Sequence, residues 1–101
     1  MPDVLLPDVK MALRISHTAM DSEIEGLIAA ARGDLIRTGL LADMVNAETV
    51  DPLIKQAITT YVKANFGLDN EDSDKYQRSY AMLRNDLSLS QDYLPVGDAD
   101  V

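Results

Sequence analysis

The sequence predicts an all-α protein: a small four-helix bundle with a long central helix, an extended connector between helices 2 and 3, and a flexible C-terminal tail. Three observations carry this prediction. The run from Asp51 to Gly67 reads as one helix with both ends marked and an apolar arc too wide for a surface helix. The run from Asp21 to Thr38 carries a single apolar stripe at helical spacing. Tyr76, Tyr80, Leu83 and Leu87 then recur at steps of four, three and four, the narrow seam of a helix laid along another. The 101 residues make one domain, with the helical part at 1–88 and the tail at 89–101.

The first helix is short, from about Pro7 to Arg14. Pro7 can start it, Asp8 suits its positive end, and Val9, Ala12 and Leu13 give it a small apolar face. Ser16-His17-Thr18 connects it to the second helix. There Ile24, Leu27, Ile28, Ala31 and Leu35 form the stripe, while Glu23, Glu25, Arg32, Asp34 and Arg37 lie off it. Gly39 ends that helix. Gly33 sits inside it, at about 1 kcal/mol relative to alanine, for close packing or a slight bend.

Residues 40–50 are longer than a link between two helices requires, and they are apolar at Leu40, Leu41, Met44 and Val45. A short strand or hairpin is expected there, and a contact surface. The third helix follows. Asp51 is suited to cap it, Pro52 to occupy its first turn, and Gly67 to stop it in the left-handed conformation. Leu53, Ile54, Ala57, Ile58, Tyr61, Val62, Ala64 and Phe66 cover more than half its circumference, so other helices must cover it on several sides. Asn65 falls in that arc and needs a partner if buried. The fourth helix runs from about Ser73 to Ser88, and its seam either covers the third helix or joins subunits. From Leu89 onward there is no helical pattern, and Pro95, Gly97 and three acids point to an extended, mobile tail.

Composition excludes several function classes. Net charge is −8, with −3 over residues 1–68 and −5 over residues 69–101. That sign opposes a phosphate backbone, so direct nucleic-acid binding is disfavoured. There is no cysteine, hence no disulfide scaffold and no thiolate metal site, and no apolar run long enough to span a membrane. The first residues show no basic stretch before an apolar one, so no secretion signal is expected. His17, the only histidine, has no nucleophile motif around it and reads as a connector residue. Asp69-Asn70-Glu71-Asp72-Ser73-Asp74 starts like a calcium loop but has Asp74 where glycine belongs and Tyr80 where the bidentate glutamate belongs. It reads instead as an acidic turn capping the fourth helix. No catalytic, cofactor or metal residues are therefore expected, and no enzyme.

Several stretches taken together resemble the small head–tail connector proteins of tailed bacteriophages, also described as DNA-packaging or head-completion adaptors. They are Val9-Lys10-Met11-Ala12-Leu13-Arg14-Ile15 and Asp21-Ser22-Glu23-Ile24-Glu25-Gly26-Leu27-Ile28-Ala29-Ala30-Ala31, then Thr38-Gly39 and Asp51 to Ile58. Tyr61 to Gly67, Tyr80 and Leu87-Ser88-Leu89-Ser90 complete them, in an order that spans Leu5 to Tyr93. The resemblance implies a virion structural protein of the neck, assembled in the host cytoplasm into a ring below the portal. Its implied partners are further copies of itself, the portal protein and a tail or stopper protein. DNA would pass through the channel without sequence-specific binding, and no membrane or cofactor is implied. The contact residues expected on this reading are Leu40, Leu41, Met44, Val45, Tyr80, Leu87, Leu89, Tyr93 and Leu94. The tail is expected to order only against the portal or a neighbouring copy, so that loss of 91–101 weakens portal attachment and spares the helices. The competing reading is a small acidic cytoplasmic interaction module or regulator, which would share the same helices, charge and tail.

Overall fold

The computed structural model describes residues 3–67 and 71–90. In these it has five helices and no strand: α1 (Leu6–Leu13), α2 (Asp21–Arg37), α3 (Ala42–Val45), α4 (Pro52–Asn65) and α5 (Ser73–Leu89). α4 lies at the centre and packs against α5, α2 and α1. The bundle is thus helical as the sequence predicts, with one element more. Segment 40–50 holds neither strand nor hairpin. It holds the single turn α3, which no periodicity reading resolves in four residues.

α4 forms where its end signals place it. The Asp51 carboxylate accepts from the Leu53 N–H at 2.9 Å, and Pro52 occupies the first turn, where its missing N–H leaves nothing unsatisfied. Beyond Asn65 the backbone extends at Phe66, and Gly67 takes φ +86°. Ile54, Ala57, Ile58, Val62 and Ala64 are buried, with Leu53 and Tyr61 half-buried at the edges. Asn65 is exposed, and its amide donates to the Tyr61 carbonyl at 2.9 Å, so it needs no buried partner.

α2 lays Ile24, Ile28, Ala31 and Leu35 on that core. Thr38 and Gly39 (φ 112°) close it, with the Thr38 hydroxyl donating to the Leu35 carbonyl at 2.6 Å. Gly33 faces open space: a Cβ there would meet nothing within 4 Å. Close packing inside the subunit therefore does not account for it. α1 adds Leu5, Leu6 and Val9 to the core and ends at Arg14 in the left-handed region, φ 62°, a conformation that favours glycine.

One residue placed off the stripe by periodicity is buried. Arg32 is 9 % exposed. Its Nη2 and Nε donate to the two Asp3 oxygens at 2.7 and 3.0 Å, and its Nη1 donates to the Val45 carbonyl. A guanidinium forks in this way between a carboxylate and a carbonyl, so it ties the N-terminal segment and α3 to α2. Burial would raise the Asp3 pKa, but the Arg32 hydrogen bonds, the Leu5 N–H and the Arg32 charge outweigh it and hold the carboxyl below its ordinary value.

Candidate functional site

The residues expected to make contacts separate into an inner and an outer set. Leu40, Val45, Tyr80 and Leu87 are buried and belong to the core of the subunit. The Tyr80 ring meets Tyr61 edge-on at 5.1 Å. Its hydroxyl donates at 2.6 Å to Asp34, which also receives Arg84 Nε at 3.1 Å. Burial and the Asp34 charge raise the Tyr80 pKa, so the phenol stays neutral. The seam therefore covers α4, as one of its two readings has it. Leu40 and Val45 likewise anchor segment 40–50, leaving Leu41 and Met44 half-buried at its edge. Leu89 is open to solvent, and Tyr93 and Leu94 lie outside the described residues.

The outward-facing apolar residues lie where periodicity does not select them. Met82 and Leu89 are 69 % and 72 % exposed and stand two helical turns apart on α5. Beside them a shallow groove runs between α4 and α5, past Gln56, Thr60, Lys63, Tyr76 and Asp86. On the far side of α1 lies a more apolar groove, bordered by exposed Met11. The outer face of α2 is formed by Ser22, Gly26, Ala29, Ala30 and Gly33, all exposed and all small. Three surface cations pair across elements: Lys10 with Asp21 at 2.7 Å, Lys55 with Asp8 at 2.9 Å and Arg84 with Asp34 at 3.1 Å.

Nothing described here assembles chemistry. His17 is exposed in the link between α1 and α2. The stretch suggestive of a calcium loop is described only in part, with Asp69 and Asn70 outside the described residues. Asp72 stands at the start of α5 without a side-chain capping bond, so the expected cap is not made. The Ser73 hydroxyl instead fastens the turn to α4 by donating to the Ala64 carbonyl at 2.7 Å. Among the described residues no group of three acidic, histidine or cysteine side chains is placed to hold a metal, and no helix is long and apolar enough to cross a membrane. The arrangement is one of rigid helices with apolar residues standing outward on separate faces, which suits binding to other proteins.

A family model described as phage connector protein matches the chain over residues 5–94. Neither the curated proteins nor the solved structures contain a significant match.

Proposed function

The chain belongs to the phage connector protein family, a family of structural rather than enzymatic proteins, and from that premise we propose that it forms a ring below the portal, joins the DNA-filled head to the tail and extends the DNA channel. The family match over residues 5–94 carries this reading. The surface supports it. A ring of identical subunits needs two different complementary faces, because each copy contacts its neighbours heterologously. The chain has apolar residues facing outward on two separate elements, Met11 on α1 and Met82 with Leu89 on α5. Leu41 and Met44, at the edge of α3, extend the available contact area.

Charge serves the channel. A subunit of net charge −8 multiplies its negative potential in a ring. DNA releases counterions only to cations, so an acidic wall offers it no site at which to stall. The ring stacks on the portal at one end and receives a tail or stopper protein at the other.

Native mass spectrometry and negative-stain microscopy test this, first on the protein alone and then with the portal protein of the same phage. Closed rings coaxial with the portal are expected. A monomer or dimer that never joins the portal would instead make the chain a small acidic interaction module.

A further inference from the structure

The outer faces of α1 and α5 carry matching stripes. On α1, Pro7, Met11 and Arg14 are exposed at steps of four and three. On α5, Met82, Asp86 and Leu89 are exposed at the same steps. Residues so spaced share one face of a helix. Each stripe sets two apolar residues and one charge toward solvent, and the two charges are opposite. Neither is met inside the subunit: among the described residues Arg14 pairs with no carboxylate and Asp86 with no cation. Local physics accounts for neither. Asp86 stands in the last turn of α5, where the helix dipole favours a cation, yet that turn has no basic residue. From Asn85 to Val101 there are four acids and no base. Arg14 holds φ 62°, where glycine would be less strained. It lines a groove of about 500 Å³ with Leu6, Pro7, Lys10, Met11 and Ile15, in which the other cation, Lys10, is committed to Asp21 at 2.7 Å.

We infer that α1 of one copy packs its outer stripe on the last two turns of α5 of a second copy, with Met11 between Met82 and Leu89 and Arg14 paired with Asp86. The spacing fits. Met82 and Leu89 stand about 10 Å apart along α5, at ~1.5 Å per residue, which leaves room for one long side chain between them. Methionine is unbranched and adapts to such a gap. With Met11 level with Asp86, Arg14 lies about 4.5 Å further along α1, within reach of its side chain whichever way the two helices run. The pair joins a guanidinium with no internal partner to a carboxylate with none, and the apolar residues on either side shield it from water.

The same chain cannot make this contact. α1 and α5 both pack on α4. α5 is held there by Tyr80, Leu83 and Leu87, and its exposed stripe lies off that seam. α1 is fixed by Leu6 and Val9 in the core and by the pairs Lys10–Asp21 and Lys55–Asp8. Both stripes are open in the folded subunit, so neither covers the other, and bringing them together would unpack α5 from α4. A second copy supplies the missing charge to each without rearrangement. The two stripes lie on different elements, so each copy offers α1 to one neighbour and α5 to the other, the heterologous contact from which rings close. The inference rests on the self-association proposed above and names its interface.

The chain has no cysteine, so introduced cysteines report the contact directly. Met11→Cys protein is mixed with Leu89→Cys protein, with and without the portal protein, then oxidised and run without reductant. The control mixture is Gly26→Cys with Leu89→Cys, which places the first thiol on the exposed face of α2. The mixed dimer is expected to form several-fold more with Met11→Cys than with the control. Arg14→Asp in the Met11→Cys chain, or Asp86→Arg in the Leu89→Cys chain, should each lower the yield several-fold. The two together should restore it, with helix content unchanged by circular dichroism. Raised salt should lower the yield of the unswapped pair. A yield no greater than the control, in protein that native mass spectrometry shows to be oligomeric, overturns this contact and leaves self-association standing. Shielding of the Met11→Cys thiol from alkylation by the portal but not by self-association gives the α1 face to the portal and overturns it too. A disulfide closed within one chain of the Met11→Cys/Leu89→Cys double variant overturns the second-copy assignment. Monomers alone, with portal as without, overturn both readings.

Discussion

α4 and α5 pack side by side, yet the fold holds them very differently. α4 buries five of its fourteen residues and is covered by α1, α2 and α5. α5 buries only Tyr80 and Leu87 of its seventeen, and carries Met82 and Leu89 into solvent. The difference separates two tasks that sequence patterning tends to merge. A helix with a wide apolar arc is there to be surrounded, and its residues answer for stability. A helix with a narrow seam is attached along one line, and its remaining surface is available to a partner.

The sharpest way to break this contrast is to remove a core side chain of α4. Ile58→Ala should cost about 2–5 kcal/mol, because a fully buried site loses transfer energy and retains a cavity. Chemical denaturation should show a large fall in midpoint, with loss of any assembly following loss of fold. A midpoint within experimental error of wild type would contradict the central position of α4.

The next effect is at the joint between the helices. Tyr80→Phe keeps the ring on Tyr61 but removes the hydrogen bond to Asp34, and should cost about 1–2 kcal/mol. The same residue gives a pH signature. Its folded pKa is raised, so its contribution is fully present below the unfolded tyrosine pKa of about 10 and is lost as pH rises beyond it. The stability gap between wild type and Tyr80→Phe should therefore narrow in alkali. A gap that widens above pH 10 would sink the assignment.

On the bare face of α2, Gly33→Ala should stabilise the subunit by up to about 1 kcal/mol, since a Cβ there meets nothing. If it stabilises the subunit and also weakens assembly, that face is covered in the particle. Smallest of all for folding, Leu89→Ser and Met82→Ser should change subunit stability by no more than about 0.5 kcal/mol, because both side chains are already in water. Their effect should appear in the oligomeric mass instead. Subunit destabilisation comparable to Ile58→Ala would mean that α5 is held as tightly as α4.

What the sequence makes legible follows the range of each interaction. Asp51, Pro52 and Gly67 mark α4 correctly because caps act within a turn or two of the chain. The stripe of α2 and the seam of α5 are legible because burial imposes helical periodicity. Arg32 escapes because its carboxylate, Asp3, lies 29 residues away, and nothing local predicts that an arginine beside the stripe will turn inward. α3 escapes because four residues are too few for a period. The inward placement of Leu40 and Val45 depends on how α2 and α4 pack, which a composition reading of segment 40–50 does not contain. Met11 and Met82 stand out only once the core is known, since an apolar residue is informative when it fails to be buried; Leu89, expected as a contact residue from the sequence, is likewise open to solvent.

α4 maintains the fold, and the outer surfaces of α1 and α5 are proposed to make the assembly. Amide hydrogen exchange, compared between dissociated subunit and assembled particle, tests it most directly. α4 and the inner face of α2 should be the slowest to exchange in both states and change little between them, while new protection on assembly appears in α1 and α5. New protection concentrated in α4, with α1 and α5 unchanged, would contradict it.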